Sequence, residues 1–394
     1  MTDAATEPLI GVINAGSSSL KFSFYEGEKR LLTGQVDGIG VRPSASATGS
    51  DGEAIAPPDL VAAPYSTPSE VLPAVLPWAR ERLGARRLAA VGHRVVHGGL
   101  RHSRPARVTS ELLAELEALV PLAPLHEPHN LAPIRMAMSL NPDLPQVACF
   151  DTAFHRTASD VEQAFALPYA LYEEGVRRYG FHGLSYEYIA SVLPTQAPGI
   201  ADGRVIVLHL GNGCSACALK ARTSVATTMG FTALDGLPMG SRCGALDAGV
   251  VLHLIQQKRM SADALVDLLY RRSGMLGLSG VSSDFRELLA SEEPRARFAL
   301  EVFYDRAARQ IGSLAAALGG IDGIVFTAGV GENAVPVRSA ICGACRWLGL
   351  ELDEAANGVH RTRISTSESR VAAYVIKTDE NLMIARHTRA LLGS

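Results

Sequence analysis

The sequence predicts an α/β protein of two domains, and three observations carry that expectation. The chain is 394 residues long, beyond the size at which a single hydrophobic core stops growing. Apolar runs of strand length alternate with apolar stripes at three-and-four spacing, the pattern of layered sheets and helices. A strand–turn–strand unit also occurs twice, half a chain apart, as in a duplicated fold.

The first unit occupies residues 9–25. Leu9, Ile10, Val12 and Ile13 form an apolar run, residues 14–18 a turn of small polar residues, and Leu20, Phe22 and Phe24 alternate with Lys21, Ser23 and Tyr25, so a β-hairpin is expected. The stretch 42–68, rich in Pro, Ser, Ala and Gly, reads as a surface excursion. Thr67, Pro68, Ser69 and Glu70 have the form of a capping box with proline at the first helical position. Leu112, Leu113, Leu116 and Val120 mark another amphipathic helix. Residues 205–210 are strand-like again and lead through Gly211, Asn212 and Gly213 into a second strand. Aligning Gly16 with Gly213 also aligns Ser18 with Ser215, an offset of 197 residues. One phosphate-holding turn per half is the reading of that repeat. The longest helix carries Leu300, Phe303, Ala307, Ile311, Leu314 and Leu318 and ends at Gly319 and Gly320. Residues 321–327 then form a strand entering Ala328, Gly329, Val330, Gly331, Glu332 and Asn333, a glycine turn at a strand-to-helix junction.

Composition narrows the function. Lys and Arg total 37 against 40 Asp and Glu, a formal net charge of -3, with no basic block that would track a nucleic-acid backbone. The first residues hold no basic segment followed by a cleavable apolar one, so a cytoplasmic location is expected. The nearest thing to a membrane span, residues 312–331, contains Asp322 and several glycines and divides better into a helix end and a strand. No membrane partner is expected. Two Cys-x-x-Cys pairs, Cys214 with Cys217 and Cys342 with Cys345, are much farther apart than the ~15–20 residues of a zinc ribbon. Small buried thiols are the better account.

Three glycine turns in one chain suit phosphate, because glycine lets backbone N–H groups approach phosphate oxygens. Asn14, Ser17, Ser18, Ser19 and Lys21 add donors and a charge beside the first. Arg94 lies among apolar β-branched neighbours, where a guanidinium must find an anion. His93 and His97 flank it, but that context favours a strand over a helical zinc pair. Asp151 falls just past a strand end, where ligands bind in open α/β sheets. His182 sits between glycine-flanked aromatics, and Arg242 follows Gly240 and Ser241. Any one of these residues alone is more often a cap or an ion pair than a catalyst.

The runs NAGSSSLKF at 14–22, VGHRVVHGG at 91–99, LAPLHEPHN at 122–130, FDTAFH at 150–155, RRYGFHG at 177–183, HLGNG at 209–213, SGVSSDFR at 279–286, FTAGVGEN at 326–333 and TDENLMIARHT at 378–388 together resemble the acetate kinases. The resemblance spans nearly the whole chain in order. It implies two duplicated ribonuclease-H-like domains of the actin-like ATPase type, with a nucleotide cleft between them. Residues 1–150, completed by a C-terminal helix at about 381–394, would form one domain, and 151–380 the other, which would also carry a homodimer interface.

Carried over by position, the resemblance implies that Asn14 and Glu380 help hold Mg²⁺ or Mn²⁺. ATP or ADP would be held by Lys21, by His209, Leu210, Gly211, Asn212 and Gly213, by Asp284, Phe285 and Arg286, and by Gly329, Val330, Gly331, Glu332 and Asn333. Arg94 would bind the acetate carboxylate or the phosphoryl group, Asp151 would be the catalytic acidic residue, and His182 with Arg242 would stabilise the transition state. Val96, Leu125, Phe181 and Ala233 would line the pocket for the methyl group. The substrates would be acetate, acetyl phosphate, ATP and ADP, with some turnover of propionate.

Several positions depart from the family pattern. Glu127 stands for an asparagine, Leu184 and Tyr186 for a threonine and a histidine, Ala226 for an aspartate and Ala233 for a proline. Cys243, Ala245 and Ala248 stand for serine, aspartate and proline, and Ala328 for glycine. All the charged residues assigned to phosphoryl transfer remain, so the departures bear on substrate choice and rate. A different class, an ATP-binding protein that regulates or chaperones a partner, is disfavoured by Arg94, His182 and Arg242, which a nucleotide switch has no need of.

Overall fold

The computed structural model describes residues 7–16, 19–57, 65–123 and 126–393; Ser17, Ser18 and Leu125, invoked above, lie outside them. The chain divides into two compact units, one of residues 1–154 and 379–394 and one of residues 155–378. Asp151 and Glu380, which the sequence reading put at the two ends of the second domain, therefore both belong to the first unit.

Among the described residues the first unit holds eight strands: β1 (Leu9–Ala15), β2 (Leu20–Glu26), β3 (Lys29–Asp37), β4 (Ser44–Gly49), β5 (Ala54–Ile55), β6 (Leu88–Val95), β7 (Ala106–Arg107) and β8 (Gln146–Phe150). They form one sheet in the order β5-β4-β3-β2-β1-β6-β8-β7. Strands β1 to β5 pair antiparallel, whereas β1, β6 and β8 run parallel. Part of the expected surface excursion thus supplies the last two strands at one side of the sheet, β4 paired with β3 and β5 paired with β4 at the edge. Helix Pro68–Leu83 buries Val71, Leu72, Val75 and Ala79 on the sheet, and Trp78 meets Phe22 edge-on at 5.8 Å. Thr67 is the N-cap of this helix, though its side chain makes no cap hydrogen bond to the helix; Glu70 reaches back to the N–H of Thr67 and, at 2.7 Å, to that of Ser66. Helix Glu380–Leu392 lies against β6 so closely that a Cβ on Gly92 would be 2.2 Å from Thr388 Oγ1. Only glycine fits there.

The second unit holds β9 (Arg204–Leu210), β10 (Cys214–Lys220), β11 (Thr223–Thr227), β12 (Gly323–Thr327) and β13 (Ala372–Val375), in the order β11-β10-β9-β12-β13. Strands β9, β10 and β11 are antiparallel and β9, β12 and β13 parallel. This is the order and sense of β3-β2-β1-β6-β8, so both halves carry the same five-strand core. Helix Pro294–Leu318 is the long helix of the sequence reading; Phe303, Ala307, Ile311, Leu314 and Leu318 are all buried, and Gly319 closes it in the left-handed conformation at φ 68°. No helix among the described residues is long and apolar enough to cross a membrane.

Candidate functional site

In the first unit the parallel strands deliver three polar side chains to one edge. Asn14 is near the end of β1, Arg94 near the end of β6, and Asp151 directly follows β8, at the carboxyl ends of strands where open sheets bind ligands. Arg94 Nε reaches both Asp151 carboxylate oxygens, at 3.1 and 3.2 Å, and Nη2 closes a second arm of the fork. The side chains are 18% and 1% exposed, so the pair is almost dry and its geometry is fixed by both arms. Arg94 Nη1 lies 3.5 Å from Asn14 Oδ1, and Asn14 Nδ2 donates to Glu380 Oε2 at 3.4 Å. Burial pushes the Asp151 carboxyl up to about 6; Arg94 opposes that rise and Glu380 adds to it.

Helix Glu127–Leu140 clamps the turns around this edge. Asn130 Oδ1 accepts the N–H of Val96 at 2.9 Å while its Nδ2 donates to Ala15 O at 2.7 Å. Glu127 Oε2 accepts the N–H of His97 at 3.2 Å, whereas its Oε1 is buried without a hydrogen-bond partner among the described residues. His93 Nε2 meets Gln146 Oε1 at 2.7 Å, and His97 Nδ1 accepts the N–H of Gly99 at 2.8 Å, so both flanking histidines bind within the protein fabric.

Burial pushes Glu127 up to about 8, with the His97 N–H and Arg94 opposing. The unfolded carboxyl titrates near ~4.3, so between that pH and ~8 the folded state holds a proton that the unfolded chain releases, and stability falls as pH rises through the window. Glu127→Gln removes this slope. In thermal melts its Tm relative to wild type is expected to improve by ~3 °C or more from pH 5 to pH 9; parallel Tm–pH curves would show that Glu127 is ionised in the folded protein.

In the second unit, three separate stretches line a cavity of about 630 Å³: Gly211 and Asn212, then Asp284, Phe285 and Arg286, then Gly329, Val330 and Asn333. Ser283, which lies inside the run at 279–286, and Leu289, Ala334 and Pro336, which lie beside the runs, complete the wall. Asp284 caps helix Phe285–Ala290 and pairs with Arg286, Nε to Oδ1 at 3.0 Å. Phe285 is buried edge-on against Phe303 at 4.8 Å. Leu210 is fully buried, so its contribution to a ligand would be backbone. Glu332 points inward: Oε1 accepts the N–H groups of Ala328 at 2.9 Å and Thr378 at 3.1 Å. Those bonds hold Ala328 at φ 64°, a left-handed conformation that costs roughly 1–2 kcal/mol for a non-glycine. Arg338, fully buried, donates to the carbonyls of Gly331 at 3.0 Å and Glu332 at 2.9 Å. The sequence reading missed this support of the glycine turn. Lys21 is exposed on β2 of the first unit.

His182 and Arg242 converge on the turn between β9 and β10. A Cβ built on Gly213 would lie 3.3 Å from His182 Nε2 and 3.6 Å from Arg242 Nη2, so the glycine is the floor on which the imidazole and the guanidinium meet. Arg242 Nη1 donates to Ala233 O at 2.7 Å. Phe181 is buried and Ala233 half-buried in this unit, whereas Val96 is buried in the first. The four cysteines of the Cys-x-x-Cys pairs are buried free thiols; Cys217 Sγ lies 3.3 Å from Ser224 Oγ.

A duplicated five-strand core, with a glycine-lined cavity and an arginine held at a strand end, defines a phosphotransferase of the actin-like ATPase fold. The chain belongs to the acetokinase family, whose model matches residues 9–386. It is 54% identical over 390 residues to an acetate kinase of Nitrobacter hamburgensis, covering 97% of this chain and 95% of that one. Among solved structures, a propionate kinase from Francisella tularensis superposes with a TM-score of 0.90 at 33% identity, covering 97% of this chain and 99% of the other. Porphyromonas gingivalis acetate kinase gives 0.86 at 35% identity, with 98% and 100% covered.

Proposed function

We propose that the protein transfers the γ-phosphoryl group of ATP to the carboxylate of acetate, giving acetyl phosphate and ADP, and catalyses the reverse. The observation that carries this reading is the convergence of His182 and Arg242 donors on Gly213, with family membership naming the acceptor. Acetate is already a nucleophile at neutral pH, so the enzyme must align two anions and neutralise charge on the moving group. Arg94 binds the acceptor carboxylate or the phosphoryl group through its planar fork, and Asp151 orients that fork and needs to remove no proton. His182 and Arg242 donate to the equatorial oxygens as charge builds on them. The nucleotide lies in the cavity of the second unit, its phosphates near the turns at Gly211–Gly213 and Gly329–Asn333. The resemblance to the family assigns Val96, Leu125, Phe181 and Ala233 to the methyl group by their positions in the sequence.

Asn14 and Glu380, with Asp151 nearby, offer hard oxygen donors that fit Mg²⁺ or Mn²⁺. Two or three such donors are enough for Mg²⁺, an ion that keeps waters and phosphate oxygens as its other ligands. Bound there, the ion supplies charge neutralisation to the phosphates. A homodimer in the cytoplasm completes the reading. It is supported by helix Ala248–Gln256, which buries no residue and leaves Val250, Leu252 and Ile255 41–54% exposed.

The test is a substrate panel of formate, acetate, propionate and butyrate with ATP, with and without Mg²⁺, trapping acyl phosphate with hydroxylamine. Acetate is expected to give a metal-dependent signal, and propionate a kcat/KM within about tenfold of it, since Ala233 leaves more room than a proline ring and one methylene is worth only ~1–3 kcal/mol. Ala233→Pro keeps the carbonyl that holds Arg242 and should selectively slow propionate. Absence of acyl hydroxamate with every acid would turn the assignment toward a nucleotide-regulated binding protein.

A further inference from the structure

Two side chains outside every role assigned so far sit behind His182. That residue enters helix Gly183–Gln196 with a left-handed backbone, φ 57°, and the chain leading into it is pinned by His155, whose Nε2 meets Phe181 O at 2.9 Å and whose Nδ1 meets Ser224 Oγ at 2.9 Å. The ring itself is held from behind. His182 Nδ1 lies 2.8 Å from Ser215 Oγ, and Ser215 Oγ lies 2.5 Å from the Tyr186 hydroxyl; Ser215 and Tyr186 are both fully buried. The His182 ring also stacks on His209 at 4.1 Å with 16° between the planes, and His209 Nδ1 is in turn 2.8 Å from Ser185 Oγ.

The direction of the hydrogen bonds follows from the donors available. Burial pushes the Tyr186 hydroxyl well above the usual phenol range, and its oxygen also receives a backbone hydrogen bond from His209, so the hydroxyl keeps its proton and Ser215 Oγ is the acceptor beside it. With the phenol donating to Ser215, the serine proton is left to go to His182 Nδ1. A neutral imidazole that accepts at Nδ1 carries its proton on Nε2, the atom that faces Arg242 Nη2 across Gly213.

We propose that Tyr186 and Ser215 are positioning residues for phosphoryl transfer, a two-hydroxyl relay that holds His182 as its Nε2–H tautomer with that N–H aimed beside Arg242. The inference rests on the role given to His182 above. It makes Tyr186, a departure from the family pattern, part of the working site of this chain.

Tyr186→Phe removes the hydroxyl and keeps the ring that fills the core; Ser215→Ala removes the next link. In the full-length protein labelled with ¹⁵N-histidine, the wild-type His182 signals should show an unprotonated Nδ1 and a protonated Nε2 at pH 7.5. Each variant should populate the Nδ1–H form and lower kcat by ~5–20-fold with the KM for ATP within about twofold. The double variant should be no slower than Ser215→Ala alone, since both act through one chain. Wild-type His182 protonated on Nδ1, or a tautomer unmoved in Tyr186→Phe, would overturn the relay; should Ser215→Ala fail to fold, the Tyr186→Phe spectrum decides. His182→Gln assayed in parallel separates the two readings: wild-type kcat in that variant would remove the role of His182, while the nitrogen spectra still decide whether the relay exists.

Discussion

Arg242→Ala is expected to lower kcat by ~10²–10³-fold, ~2.7–4 kcal/mol, the scale observed when one preorganised donor to developing charge is removed, while the KM for ATP changes by less than about threefold. The basis is the rigidity of its setting. The Met239 N–H bonds to Arg242 O at 3.1 Å, the Met275 N–H to Met239 O at 2.9 Å, and the Ser273 N–H to Ser241 O at 3.0 Å, so the turn carrying Arg242 is tied to itself and to its neighbour. One arm of the guanidinium is committed to Ala233 O, and the other lies beside His182 at Gly213. No reorganisation is then needed when charge appears, and the stabilisation falls mainly on the transition state. Arg242→Lys should recover only part of the rate, because an ammonium cannot hold the Ala233 carbonyl and the phosphoryl oxygens in one plane. A kcat for Arg242→Ala within a few fold of wild type would remove Arg242 from the chemistry.

The parts legible in the sequence were those written in short range. The turns at Asn14 and Gly211–Gly213 announced two hairpins, and their spacing announced the repeat that the matching strand orders of the two sheets display. Asp284–Arg286 and Gly329–Asn333 were picked out separately, and folding brings both to one cavity wall with Asn212. What escaped was long-range. Gly213 as a floor for His182 and Arg242 depends on the β9–β10 register and on where helix Gly183–Gln196 starts, neither of which is set by neighbours in the chain. Strands β4 and β5 escaped because Ser and Ala are weak strand formers whose pairing is decided by the neighbouring strand, β3 for β4 and β4 for β5. The buried state of Glu127 was hidden by its exposed-looking setting between His126 and Pro128. Assigning Asp151 to the second domain followed from placing the boundary at the end of a strand; the chain crosses over only after Phe154.

Arg94→Ala is expected to raise the KM for acetate by about tenfold or more and to lower kcat by ~10²-fold, because its guanidinium meets the anion in the ground state as well as in the transition state. The variant should also move the acid limb of the pH–rate profile. In the wild type, burial lifts Asp151 and Arg94 restrains the rise, leaving it at about 6. Its folded pKa lies above the unfolded value near ~3.9, so across that interval the folded state takes up a proton that the unfolded chain gives up, and stability falls as pH rises from ~4 to ~6. Without Arg94 the opposing attraction is gone while burial and Glu380 still push upward. The window of declining stability then extends above 6, and Asp151 is increasingly protonated at neutral pH. A carboxyl able to take up a proton escapes part of the ~3–5 kcal/mol that stranding a buried charge costs, so the variant should fold and remain assayable near pH 6. Arg94→Lys restores the charge without the fork: the acid limb should return toward its wild-type position while the KM for acetate stays high. The two measurements thus separate charge from geometry. An unchanged KM for acetate together with an unshifted acid limb in Arg94→Ala would show that the Arg94–Asp151 pair serves only to hold β6 against β8.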